Sequence, residues 1–71
     1  MLEEVSALAE KVLGHFPNDR DISVEELSQK TGYDQDRIWL ALGFLWARGK
    51  ILEIPDGGYP SLIWRKVQAN D

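Results

Sequence analysis

The groups in this chain that can do chemistry are few, and their spacing does not gather them. His15 is the only histidine, with Asp19 and Asp21 following it. Imidazole and carboxylate are metal-ligand types, but a ligand pair four residues apart on one helix is missing. At the end of a helix His15 serves better by stabilising the last carbonyls. The hydroxyls of Ser6, Ser23, Ser28 and Ser61 have one histidine between them, so no set of nucleophile, base and orienting group can be assembled. Gly57-Gly58 lacks the lysine and the following helix of a phosphate loop. Glu3-Glu4 and Glu25-Glu26 read as acids at helix starts, where carboxylates suit the helix dipole, and not as an acid/base pair. The expectation is a protein that is not an enzyme, with no catalytic residue, no metal and no cofactor.

The chemistry the sequence does offer is recognition, concentrated in Ile38-Trp39-Leu40-Ala41-Leu42-Gly43-Phe44-Leu45-Trp46-Ala47. Ile38, Leu42 and Leu45 fall four and three residues apart, with Ala41 beside them, and form an inward face on a helix. Trp39, Leu40, Gly43, Phe44 and Trp46 are left around the remaining circumference. A helix that is apolar all round is a buried helix, and a chain of 71 residues has little with which to cover it. The alternative is an exposed apolar patch, which marks an interaction surface. Burying one large apolar side chain contributes about 1.5–3 kcal/mol, so several exposed together favour a partner. Trp39, Gly43 and Trp46, at i, i+4 and i+7, share a stripe with a notch at the glycine. Gly43 costs about 1 kcal/mol relative to alanine inside a helix, and close approach of another surface would account for it. Two readings of Trp39 and Trp46 stay open: cover for the edges of other elements in the same chain, or a protein interface, foremost with a second copy. Nucleic acid and a small apolar ligand rank behind both.

The elements that must position this stripe are legible in order. Leu2, Val5, Leu8, Ala9, Val12 and Phe16 recur at helical spacing, giving a first helix over about 2–15, closed by Gly14 and Pro17. Ser23-Val24-Glu25-Glu26 is a capping box, in which the Ser23 hydroxyl accepts the Glu26 amide and the Glu26 carboxylate reaches back to the Ser23 amide. Ile22 and Leu27 supply the hydrophobic staple. That second helix stops at Gly32. Asp34 caps the third helix, Tyr33 and Ile38 repeat the staple spacing, and Gly49 follows Arg48 at its end. Two helices joined by a tight glycine-containing turn are a helix-turn-helix. Ile51–Ile54 and Ser61–Arg65 are strands joined by the loop Pro55–Pro60, a β-hairpin, and Asp21-Ile22 can add a short third strand. The expected fold is mainly α with a small hairpin, a winged helix-turn-helix of three helices plus wing, over residues 1–66. Residues 67–71 are a short tail expected to fray. Tyr59 and Trp64 either extend an interface or pack across the strands.

Leu40-Ala41-Leu42-Gly43-Phe44-Leu45, followed by Ala47-Arg48-Gly49-Lys50-Ile51, resembles a family of small uncharacterised winged helix-turn-helix proteins. Their third helix reads roughly LALGWLAREGKI and leads into a short wing; the stretch SVEELSQKTG fits their second helix. The resemblance covers about residues 5–65, with Trp46 standing where a small residue is usual. It implies the fold and a transcription-regulator-like character, and no activity.

In a DNA-binding winged helix the third helix enters the major groove. Gln35 and Arg37 lie in its first turn, and Lys50, Arg65 and Lys66 are placed to meet phosphates from the wing side. Against this, Asp34 and Asp36 occupy the same first turn. The net charge is −4. Residues 1–33 hold three basic and seven acidic side chains (3 − 7 = −4), and residues 34–71 hold five of each (5 − 5 = 0). Neither half has the basic footprint of a nucleic-acid binder. A docking or homodimerisation module is therefore the leading expectation, and a DNA-binding regulator the alternative. With no cysteine, neither disulfides nor thiolate–metal sites can stabilise so small a core. No apolar run approaches the roughly 20 residues needed to span a bilayer. The start MLEEVSALAEKVLG lacks the positive region of a signal peptide, so a cytoplasmic protein without membrane attachment is expected.

Overall fold

Apolar spacing at three and four residues winds Leu2–Leu13 into the first helix, α1, with Glu3 and Glu4 in its first turn and Lys11 in its last. The computed structural model describes residues 2–58 and 60–68. The helix ends two residues before the expected limit, at Leu13. The pattern nevertheless runs on to Phe16, because the last turn tightens. The His15 amide donates to the Val12 carbonyl and the Phe16 amide to the Leu13 carbonyl, each at 3.0 Å, the i to i−3 bonding of a 3₁₀ turn. Phe16 is thereby buried with Ala9 and Val12.

Ile22–Ser23 forms a two-residue strand, β1, one residue later than Asp21-Ile22, and Ser23 then caps α2 (Val24–Thr31). The Ser23 hydroxyl accepts the Glu26 amide at 3.0 Å. The reciprocal half of the expected capping box is not made. The Glu26 carboxylate turns instead to Arg20 at 2.8 Å and Lys30 at 3.5 Å, two cations that offset its charge as the neutral Ser23 amide would not. The hydrogen bond from Arg20 holds the Glu26 carboxyl below the usual range. Gly32, at φ 78°, ends α2 in the left-handed region, where a Cβ is penalised. The turn is fixed by side chains: the Ser28 hydroxyl donates to the Tyr33 carbonyl at 2.6 Å, and Thr31 Oγ1 accepts the Tyr33 amide at 3.2 Å.

The third helix, α3, spans Gln35–Ala47 behind the Asp34 cap. Asp34 accepts the Arg37 amide at 2.9 Å. The helix closes in a Schellman arrangement, with the Gly49 amide donating to Trp46 at 3.0 Å and the Lys50 amide to Leu45 at 2.9 Å. Two strands follow, β2 (Ile51–Ile54) and β3 (Ile63–Lys66). The sheet order is β1-β3-β2, antiparallel throughout. β3 begins two residues later than expected because Ser61 and Leu62 serve the loop. The result is three helices and a small three-stranded sheet in winged-helix order.

The core lies where α1, α2, α3 and one sheet face meet. Ala9, Val12, Phe16, Ile22, Val24, Leu27, Ile38, Ala41, Leu42, Leu45, Ile51 and Trp64 form one buried cluster. The expected inward face of α3 and both staple residues of α2 are within it.

Candidate functional site

The helical sweep of α3 divides its side chains among four neighbourhoods. Ile38, Ala41, Leu42 and Leu45 are buried. On the flank toward α1, half-buried Phe44 packs against the core and is capped by Arg48, whose guanidinium sits 4.5 Å above the ring centre, a cation–π contact. On the flank toward the wing, half-buried Trp39 meets Trp64 edge to face, with ring centres 6.5 Å apart and planes at 76°. Between these flanks, opposite the core, Leu40 and Gly43 face solvent. Trp46 lies on the wing flank yet stays open. Leu40 is 52% exposed and Trp46 56%.

The five apolar residues singled out in the sequence are thus not one flat patch. Trp39 and Phe44 are partly spent within the chain, whereas Leu40, Gly43 and Trp46 remain on the surface. A Cβ added at Gly43 would meet no other side chain or neighbouring element within 4 Å. The fold itself therefore gives no packing reason for the glycine.

The wing supplies the other half of the site. The loop between β2 and β3 is held by side chains. Asp56 accepts the Gly58 amide at 3.0 Å and the Leu62 amide at 2.9 Å. These two amides, Leu62 foremost, hold the Asp56 carboxyl below the ordinary aspartate range. Ser61 is buried; its hydroxyl donates to the Ile54 carbonyl and accepts the Ile63 amide at 3.1 Å. The Ser61 amide donates to Glu53 at 2.7 Å, and the Trp64 indole N–H donates to the Ser61 carbonyl at 2.9 Å. Trp64, only 5% exposed, is core rather than surface. Tyr59, paired with it in the sequence reading, lies outside the described residues, as do residues 69–71 of the tail. Val67 prolongs the ladder, its amide donating to the Lys50 carbonyl at 2.9 Å, and the Gln68 side chain donates to the Asn18 carbonyl.

Between α3 and this wing lies a cleft of about 130 Å³, lined by Trp39, Leu42, Gly43, Trp46, Glu53, Pro60 and Trp64. Trp64 and Leu42 form its floor, Trp39 and Trp46 its helix wall, and Pro60 and Glu53 its wing wall. Glu53, Pro60 and the cleft itself are not among the features that the sequence singles out. A usable signal was present: with Ile51 facing the core, period-two alternation puts the Glu53 carboxylate on the same inward side, and the register sets it opposite Trp64.

The basic residues named for nucleic acid are dispersed. Gln35 is exposed in the first turn, but neighbouring Arg37 is held by Asp34 at 2.8 Å. Arg65 pairs with Asp21 at 3.0 Å. Lys66 stands half-buried opposite Ile51. Lys50 is exposed beyond the far end of α3, roughly 20 Å along the axis from Gln35 at 1.5 Å per residue. His15 is exposed after α1, and among the described residues no three His, Asp or Glu side chains gather as metal ligands. No helix of the described residues is long and apolar enough to cross a membrane. Comparison of the chain with protein-family models, curated proteins and solved structures gives no match.

Proposed function

We propose that this is a non-catalytic winged-helix interaction module of the cytoplasm, which docks a protein through the wing-side face of α3, a second copy being the first candidate. The observation that carries this reading is exposed Trp46 on that face, beside a glycine that its own fold does not require. Large aromatic anchors beside a notch are what protein interfaces concentrate their energy in. The likeness of α3 to the LALGWLAREGKI type of small winged helix-turn-helix protein is part of the same proposal, and fits a regulator-like fold used for contact rather than chemistry.

Sedimentation velocity at micromolar concentration, alongside binding of a dye that reports exposed apolar surface, tests it. Self-association or dye binding that is lost in Trp46→Ala is expected. A monomer that binds no dye would overturn it. The rival, a DNA-binding regulator, draws on the fold and on exposed Gln35 and Lys50. Its arginines are engaged with aspartates, and non-specific DNA affinity depends on free cations neutralising phosphates. A salt-dependent mobility shift of duplex DNA that vanishes in Arg37→Ala and Lys50→Ala would establish it instead.

A further inference from the structure

We infer that the cleft between α3 and the wing is an aromatic cage for a methylated ammonium group, and that its occupant is a methylated lysine side chain of the docked polypeptide. This rests on the reading that the face docks a protein. Three indoles line the cleft. Trp39 and Trp64 meet at 76°, forming a corner, and exposed Trp46 stands two helical turns along from Trp39 as a second wall. The notch at Gly43 keeps the space between them open. Indole faces attract cations through their quadrupole, most strongly when the cation is desolvated.

Glu53 supplies the charge. Its Oε2 is fixed by the Ser61 amide at 2.7 Å. Among the described residues it makes no ion pair, and its other carboxylate oxygen accepts no hydrogen bond. A carboxylate held rigid at the rim of an aromatic cleft, with no cation of its own chain on it, is complementary to a positive guest. The chain's net charge of −4 acts in the same direction.

The lining also selects the kind of cation. A primary ammonium carries three N–H donors and is strongly hydrated. Apart from Glu53, the side chains lining the cleft offer no acceptor, so a bare lysine head would leave donors unsatisfied there. Methylation replaces donors with apolar surface and keeps the charge, which suits three indoles and one carboxylate. The space, about 130 Å³, is well above the roughly 10–15 Å³ that a single water needs, so the cleft has room for a larger group. A polypeptide source is favoured over a free solute because Trp46, on the cleft's helix wall, is 56% exposed. A backbone carrying the side chain would cover the outer part of this indole, and a small solute would leave it wet.

The test titrates the full chain, followed by tryptophan fluorescence and by the indole N–H resonances, with three ligands. They are a short alanine-flanked peptide bearing Nε-trimethyllysine, the same peptide with the neutral tert-butyl isostere, and choline. The charged peptide is expected to bind about tenfold more tightly than its neutral isostere and more tightly than choline. Trp46→Ala and Glu53→Gln are each expected to weaken it by about fivefold or more. Trp46 is largely exposed, and glutamine can still accept the Ser61 amide, so both variants should fold, as circular dichroism would verify. Equal binding of the neutral isostere overturns the cation assignment while leaving protein docking intact. Choline binding as tightly as the peptide overturns the polypeptide source, and binding of none overturns the cage. Failure of the docking reading would show separately, as the dye-negative monomer in sedimentation.

Discussion

Replacing Gly43 with alanine separates what the fold needs from what the surface is used for. The residue lies inside α3 and faces solvent. Its φ is not positive, and an added Cβ meets nothing within 4 Å. With no steric cost, the change should recover the difference in helix propensity, about 1 kcal/mol. For a domain of this size that corresponds to a rise in Tm of roughly 4–8 °C. The same methyl would stand in the notch between Trp39 and Trp46, where a partner must approach closely, and should weaken association. Thermal melts by circular dichroism, run at two protein concentrations because association shifts the apparent Tm, give the first quantity; sedimentation gives the second. A Tm that stands still or falls would refute the claim that the fold does not need this glycine. A higher Tm with undiminished association would place the contact elsewhere.

Leu42→Ala should cost about 2–5 kcal/mol, since the side chain is fully buried and deletion leaves a cavity. That loss is comparable to the whole stability of a small domain, so urea denaturation should find the variant largely unfolded. Ser23→Ala removes the acceptor of the Glu26 amide and should cost about 1 kcal/mol, read in the same experiment. The wing should loosen in acid. The amides of Leu62 and Gly58 lower the folded pKa of Asp56, so its contribution is present above the unfolded carboxyl pKa and lost as pH falls through the folded one. Carbon-13 titration should find Asp56 ionising below a free aspartate, with faster exchange of the Leu62 amide as it protonates. A pKa at or above the free value would contradict the geometry.

The helices were legible because their signals are local. Ser23, Gly32, Asp34 and Gly49 punctuate the chain through backbone and capping preferences that act within a few residues, and each marks a boundary in the structure. The inward face of α3 followed from periodicity alone. What escaped depended on neighbours distant in sequence. The Glu26 carboxylate was assigned to its own helix, but a charged partner six residues away took it. Ser61 looked like a strand residue, yet its hydroxyl and amide are drawn to Ile54 and Glu53 across the loop. Trp39 and Trp46 read as one pair on a stripe, and the sheet divided them, because Trp64 on β3 reaches one indole and leaves the other open. A cleft shared by a helix and a hairpin has no signature in either segment alone.

The sheet order carries a consequence for how the chain acquires its shape as it is made. β3 lies between β1 and β2 and, among the described residues, is the only strand with which either pairs. On a ribosome, Ile22 and Ile51 emerge before Ile63, so both edge strands wait for the central one. At about 5–20 residues per second, the wait from Ile22 to Ile63 is roughly 2–8 s, during which α1, α2 and α3 can already collapse on one another. A nascent chain stalled short of Ile63 should therefore hold a helical cluster without a sheet, its core still lacking Trp64.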